Sequence, residues 1–464
     1  MNLSNEQEKS SLNILIFTHS SYLAGAERSL IQLVKELIVD YSTNCTVILP
    51  SEGPSEIYLK DIGATTIITS LNWWGTVDEL PSEKEIRNRY KNSFESILNN
   101  LERFCYTKPD VILTNTLVIP WGALTALLLK LPHVWMVNEF GVLDTNLKFF
   151  LPFDQILKII YDSSDKIVTR SNAIKEELFP NGNSKIKTIY RDIEIPTQKN
   201  SEARDNQQYF RFPDSYHLII AGTIVKQKGQ EDAIRSVVEL VKNRNRDVEL
   251  LIVGYSPSEY TKDLQKIIDQ ENLKERIQIL PFQENIFPLL NNADTILVCS
   301  RKEAFGRIIL EGMLMKKVVI ATNSGGTPEM ITDFETGFLY SPGDYSKLAE
   351  IIENLIDNPE LHSSIINNAY HFASKKFTRA NYGGEYFKLL MEIKNNYLRN
   401  NHEIYAFLLG QYHNLFSQKS KEIKNLLKSI HELEQEIKNY ENSISWRITK
   451  PLRELKNFVI KMLR

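Results

Sequence analysis

The sequence predicts an α/β protein built from two doubly wound parallel sheets in series, with a helical extension at its carboxyl end. Three observations carry this expectation. Short apolar strands alternate with amphipathic helical stretches from Asn13 onward, a polar stretch interrupts the alternation, and the alternation then restarts. The chain has 464 residues, 42% hydrophobic and 24% charged, with 19 Gly and 17 Pro. That composition is globular, and the length exceeds the roughly 250–300 residues at which a single core stops growing.

The strands are read as Ile14–Phe17, Thr46–Leu49, Thr66–Ile68, Val111–Leu113, Val134–Val137 and Lys166–Thr169. Between the first two, Leu30, Leu33, Val34, Leu37 and Ile38 recur at helical spacing. The charge-free run Val111–Leu129 is broken by Thr114, Asn115, Pro120 and Gly122, so it reads as strand, turn and helix rather than a membrane span. Gln198–Arg211 is nearly devoid of apolar residues and reads as a linker. Strands resume at His217–Ala221, Glu249–Val253, Ile277–Leu280, Thr295–Val298 and Val318–Ala321. The expected units are a first domain over 1–200, a linker over 201–212, a second domain over 213–375, a helix over 376–400 returning toward the first, and a helical tail over 401–464. Strands buried on both faces demand parallel sheets covered by helices, and such sheets bind ligands at the carboxyl ends of their strands.

Net charge is −3, which excludes the broad basic field of a nucleic-acid binder. Cys45, Cys105 and Cys299 lie in or beside apolar stretches without a Cys-x-x-Cys pair, so buried thiols in a reducing compartment are expected. Met1–Ser10 lacks the basic start and apolar core of a signal peptide, and no secretion is expected. An Asp-x-Asp motif, a Gly-x-Gly-x-x-Gly after a strand, a Walker A loop and a metal-binding histidine pair are all missing. This disfavours metal-dependent diphosphate chemistry, a dinucleotide-binding dehydrogenase and a P-loop enzyme.

The stretch most informative about chemistry is Ser300-Arg-Lys-Glu303-Ala-Phe305-Gly306-Arg307-Ile-Ile-Leu-Glu311, which follows a buried strand and leads into a helix. A helix start offers free backbone N–H groups to an anion, and a glycine there lets a ligand approach closely. Glu303 and Glu311 bracket that turn; taken alone, two such acids are ordinary solvated side chains. Two further strand-to-helix loops carry glycines: Gly222-Thr223-Ile224-Val225-Lys226-Gln227-Lys228-Gly229 and Asn323-Ser324-Gly325-Gly326-Thr327-Pro328-Glu329. Pro328 suits a first helical position. In the first domain, Ala24-Gly25-Ala26-Glu27-Arg28 lies between the first strand and its helix, and Val134-Trp-Met-Val-Asn138-Glu139-Phe140-Gly141 ends another strand.

Glu303 and Glu311, eight apart around Phe305-Gly306, resemble the E-x7-E motif of the GT4-type retaining glycosyltransferases, which have the two-domain GT-B fold; the resemblance runs from about Asn13 to Asn395. It implies a first, acceptor domain and a second, donor-nucleotide domain facing a cleft. By match, Glu303 contacts donor-sugar hydroxyls, Gly306 and Arg307 after Phe305 reach the sugar and diphosphate, and Glu311 binds the ribose. Ionised carboxylates suit vicinal hydroxyls because they only accept hydrogen bonds. The loop at Gly222 is similar to the family's G-R…K-G loop: Lys228 matches the lysine that neutralises the diphosphate, whereas Thr223 stands where the arginine is usual, leaving half that clamp missing unless Lys226 substitutes. Gly325 and Gly326 resemble the G-G-x-x-E loop beside the phosphates. Ala24-Gly25 resembles the G-G-A-E loop across the cleft, with one glycine replaced by Ala24. Asn138 occupies the place of a histidine near the reacting sugar; it can position a sugar but cannot act as a general base.

The resemblance implies catalytic roles for Lys228, Glu303 and Asn138, a nucleotide sugar (UDP-linked) as co-substrate, a glycan or lipid-linked glycan acceptor, and neither metal nor other cofactor. Two rivals stand beside this reading: a non-catalytic subunit of the same fold, motivated by Thr223 and Asn138, and a sugar-nucleotide epimerase or hydrolase.

In the tail, Ile423, Leu426, Ile430, Leu433, Ile437, Tyr440 and Ile444 keep a strict 3–4 spacing. Residues 409–444 are therefore expected either to self-associate as a coiled coil or to dock on the globular body. Residues 446–464 carry six basic side chains and one acid around Leu452, Leu455, Phe458, Val459 and Met462. Such a basic amphipathic helix suits an anionic membrane surface, a solvated tail or a partner helix. Ser443–Arg453 also resembles an ending seen on bacterial surface-polysaccharide transferases, which supports that pathway; with the basic segment, the expected enzyme is cytoplasmic and peripherally attached to the cytoplasmic face of the membrane.

Overall fold

The computed structural model describes residues 12–23, 25–144, 147–182, 184–193, 209–255, 259–378 and 381–397. The coiled-coil seam at 409–444 and the basic segment at 446–464 lie outside them, as does most of the polar stretch after Gln198.

The first unit contains β1 (Asn13–Phe17), α1 (Gly25–Tyr41), β2 (Asn44–Leu49), α2 (Pro54–Asp61), β3 (Thr65–Ile68), β4 (Gly75–Thr76), α3 (Glu83–Tyr106), β5 (Val111–Asn115), α4 (Trp121–Leu129), β6 (His133–Val137), β7 (Lys148–Phe149), α5 (Phe153–Asp162), β8 (Lys166–Thr169), α6 (Asn172–Leu178) and β9 (Ile186–Thr188). Seven strands form one sheet in the order β3-β2-β1-β5-β6-β8-β9, all paired in parallel. β4 and β7 form a separate antiparallel pair. Strands such as Val111–Asn115 and His133–Val137 are buried at every position because helices cover both faces. Phe17, Trp135 and Ile167 pack on one face, and Ile16, Leu33 and Met136 on the other.

The second unit contains β10 (Tyr216–Ala221), α7 (Gln230–Val238), β11 (Val248–Val253), α8 (Tyr260–Gln270), β12 (Ile277–Leu280), α9 (Phe287–Asn292), β13 (Thr295–Val298), α10 (Arg307–Leu314), β14 (Val318–Thr322), β15 (Phe338–Tyr340), α11 (Tyr345–Asp357) and α12 (Glu360–Phe377). Its sheet runs β12-β11-β10-β13-β14-β15, again parallel throughout. The final described helix, α13 (Tyr382–Asn396), lies against α1 of the first unit. There Tyr41 stacks on Phe387 at 4.6 Å, and the Gly383 amide donates to Glu36 Oε2 at 2.6 Å.

Three details differ from the sequence reading. Cys105 is exposed, because the last turn of α3 turns it outward; Cys45 and Cys299 are buried. Pro328 opens a single 3-10 turn, Thr327–Glu329, rather than a helix. The strands β4, β7, β9 and β15 escape the pattern because two or three residues are too few to show a period. Among the described residues no helix is long and apolar enough to cross a membrane.

Candidate active site

In each sheet the strand order reverses direction at its centre, between β1 and β5 in the first and between β10 and β13 in the second. A crevice opens beyond the carboxyl ends of strands at such a switch point. The loops singled out above leave from these ends: Gly25 after β1, Asn138 after β6, Gly222 after β10, Glu303 after β13 and Gly325 after β14.

Lys228 and Glu303 form the centre. The Lys228 ammonium donates to Glu303 Oε2 at 2.7 Å, and the Ser300 hydroxyl donates to the same oxygen at 2.8 Å. Burial works against the charge on Lys228. The opposite charge and hydrogen bond of Glu303, with Asp144 nearby, outweigh it and raise the lysine's pKa. The pair is held by backbone that only glycine allows. Gly229, at φ +66°, sits so close to β13 that a Cβ would lie 2.0 Å from the Cys299 carbonyl oxygen; Gly325, at φ +58°, would place one 2.3 Å from the Glu303 carbonyl oxygen. The Gly326 amide donates to that Glu303 carbonyl at 2.7 Å.

Gly306 caps α10, and Arg307 in its first turn pairs with Glu311 one turn on. Glu311 is buried, and Phe305 packs among Tyr190 and Phe377 beneath the loop. Gly222 and Thr223 are exposed, and so is Lys226. No cationic side chain occupies position 223.

From the first unit, the Asn138 amide donates to Asn115 Oδ1 at 2.9 Å and accepts from Arg170 Nε at 3.1 Å. Arg170 also reaches the Ser29 hydroxyl at 3.3 Å, and Arg191 reaches the carbonyl of the exposed Gly25 at 3.4 Å. Glu139 accepts from Thr116 Oγ1 and the Leu117 amide, yet burial prevails and raises its pKa. Asp144 Oδ2 accepts from the Phe140 amide at 2.8 Å, while its Oδ1 is buried without a partner. Burial first, and then the charges of Glu139 and Glu303, push the Asp144 carboxyl up to about 7.

The two units meet over this site. Ala304 packs into the core of the first unit. Glu329 accepts from the Asn172 and Ala173 amides at 2.9 and 2.8 Å and from the Tyr190 hydroxyl, so a carboxylate of the second unit caps the first turn of α6.

The sequence pattern of the family described as "Glycosyl transferases group 1" matches residues 201–372, which include Lys228, Glu303, Glu311 and Gly325. The chain carries a group 1 glycosyltransferase domain. It is 28% identical over 197 residues to alpha-D-kanosaminyltransferase of Streptomyces kanamyceticus, covering 42% of this chain and 50% of that protein. It is 24% identical over 208 residues to the capsular polysaccharide biosynthesis glycosyltransferase CapM of Staphylococcus aureus, covering 45% and 50%. The chain thus spans about half the length of these curated relatives. Among solved structures, Anabaena HepE in complex with UDP-glucose superposes with a TM-score of 0.64 at 20% identity, covering 82% of this chain and all of that one. Two parallel-sheet units facing a cleft in this way are the GT-B fold.

Of the residues the sequence singles out, Gly222, Thr223, Lys228, Glu303, Phe305, Gly306, Arg307, Glu311, Gly325 and Gly326 lie within the matched range, and Gly25 and Asn138 lie in the other unit. Sequence motifs do not mark Asp144, Arg170 or Arg191. Each reaches the cleft from a loop or strand end and meets partners far along the chain. The alternating pattern could place Arg170 just past β8, but nothing local says what it would face.

Proposed function

We propose that the chain is a retaining glycosyltransferase that moves a sugar from a UDP-sugar to a hydroxyl of a growing cell-surface glycan. The observation that carries this reading is the half-buried Lys228–Glu303 pair at the mouth of β13, flanked by the start of α10 and by the buried Glu311 inside it. Glu303 is placed to accept from sugar hydroxyls, and Lys228 to neutralise the diphosphate as it departs. The departing diphosphate then takes the acceptor's proton on the face it leaves, so no protein nucleophile and no metal are needed. Asn138, held between Asn115 and Arg170, orients the sugar without carrying a proton. Closure of the two units excludes water, which would otherwise consume the donor. Similarity to CapM, a capsular polysaccharide biosynthesis glycosyltransferase, supports a surface glycan, and similarity to HepE in complex with UDP-glucose supports a uridine nucleotide.

Glu311→Ala and Lys228→Ala are each expected to lower donor turnover by roughly tenfold or more while the chain stays folded by circular dichroism. Unchanged kinetics in both would overturn the assignment. The exposed Thr223 and the amide at Asn138 favour a second reading, a non-catalytic partner of a true transferase. A chain that binds no UDP-, GDP- or ADP-sugar in a thermal-shift screen would support that reading.

Residues 446–464 are assigned to the cytoplasmic membrane surface, and 409–444 to self-association. Deleting 446–464 should abolish flotation with anionic liposomes and leave turnover on a soluble acceptor intact. Persistent flotation would remove the tail as anchor.

A further inference from the structure

Three arginines converge where the first turn of α1 faces the group 1 domain. Arg191, 5% exposed, reaches the Gly25 carbonyl through one terminal nitrogen, while its Nε is buried with no partner. Arg170 places one terminal nitrogen on the Ser29 hydroxyl, which itself donates to that same Gly25 carbonyl at 2.8 Å. The other terminal nitrogen of Arg170, Nη2, is buried without a partner. Arg307 comes from the opposite unit, at the start of α10, and is engaged by Glu311. Burial, then the like charges of Arg307 and Arg170, bring the Arg191 pKa down to about 9. Glu311 offsets only part of this.

Such an arrangement is costly for a protein that needs it only for folding. A buried guanidinium normally finds acceptors for its N–H groups, and like charges are not brought together without return. Arg170 donates to the Asn138 side-chain oxygen and the Ser29 hydroxyl, and Arg191 to the Gly25 carbonyl, all neutral oxygens. Unspent N–H groups on converging cations suit a multiply charged anion with several acceptor oxygens, and the planar guanidinium of Arg recognises phosphate in that way.

We propose that Arg170, Arg191 and Arg307 form a phosphate-binding site between the two units at the first turn of α1. It supplies, from outside the Gly222 loop, the guanidinium charge that position 223 lacks. The site deepens the transferase reading, on which its ligand's source depends: the bound group is either the donor diphosphate or a phosphate of the acceptor.

The test uses the full chain and Arg170→Gln, Arg191→Gln and Arg191→Lys variants, titrated calorimetrically with uridine, UDP, and inorganic pyrophosphate with and without saturating UDP. The glutamine variants are expected to weaken UDP by roughly tenfold to a hundredfold while leaving uridine unchanged, with partial recovery in Arg191→Lys. That result assigns the site to the donor diphosphate. If UDP is unaffected but pyrophosphate binding on top of UDP is lost, the site still stands and takes the acceptor's phosphate. Unaltered binding of both phosphate probes overturns it. A second readout separates ligand binding from scaffolding: free Arg191→Gln should melt no lower than the parent, because it removes an uncompensated buried charge. A marked drop in melting temperature with unchanged pyrophosphate affinity makes Arg191 structural and refutes the proposal. Should the parent bind pyrophosphate through these arginines but no sugar nucleotide, the anion site survives and the transferase reading fails.

Discussion

Asp144 shows how one side chain registers the chemistry around it. Its carboxyl lies between Glu139, Glu303 and the Lys228 ammonium, and it stays protonated up to about 7. In the unfolded chain an aspartate titrates near 4. The folded state therefore binds this proton more tightly, and stability declines as pH rises from about 4 through about 7. Asparagine copies the protonated form. Asp144→Asn should melt several degrees above the parent at pH 8, with the gain shrinking steadily toward pH 5, in a fluorescence-monitored thermal titration. A gain that ignores pH would mean that Asp144 is not the titrating group. Glu303 and Lys228 are legible in the sequence through the family motifs they match; taken alone, a Glu and a Lys in a strand-to-helix loop read as solvated side chains. Asp144, Arg170 and Arg191 were not, since their significance lies in charges brought together from the two units.

Legibility among the elements follows the physics of each segment. Strands β1, β2, β5, β6 and β8 were placed within two residues of their observed ends, because central parallel strands are buried on both faces and read as unbroken apolar runs. The edge strands β9 and β15 and the β4–β7 pair are too short to show a pattern, and their pairing depends on the sheet already being there. The loop glycines present a subtler case. Gly325 stands out in the sequence as a glycine beside the phosphates, and Gly229 only as the end of the Gly222 loop. In the fold both press against the backbone of the loop after β13, at the Cys299 and Glu303 carbonyls. Their first duty is to let three loops stack at one strand end, and access for a ligand follows from that stacking. The sequence pattern could show that glycine is required there but not which neighbour requires it.

At the scale of the whole molecule, the two-sheet plan and its cleft were readable from the repeated alternation, but the contact that joins the units was not. Glu329 belongs to the glycine loop read as a phosphate neighbour, and its carboxylate instead crosses to the first unit and caps α6. Lys302 pairs with Glu177, and the Lys376 ammonium donates to the Glu329 carbonyl at 3.1 Å. The chain also crosses back after α12, and α13 anchors on α1 through Tyr41 and Glu36. The α13 anchor lies on the back of the first unit at α1, whereas the Glu329 cap is made by loops that meet across the seam and so depends on how closely the two units face each other. Hydrogen bonds to a charged acceptor are worth about 1.5–3 kcal/mol each when shielded, and less at a partly exposed seam such as this one. Losing the cap should tip an open–closed equilibrium without unfolding either unit. Glu329→Ala is expected to raise the radius of gyration of the free protein in small-angle scattering and to weaken UDP-sugar binding by roughly threefold to tenfold, since binding must then supply the closure itself. Saturating UDP-sugar should restore the compact scattering profile. Identical scattering and affinity in the variant and parent would show that the cap plays no part in holding the cleft closed, leaving α13 and the packing of Ala304 as the features that set how the two units face each other.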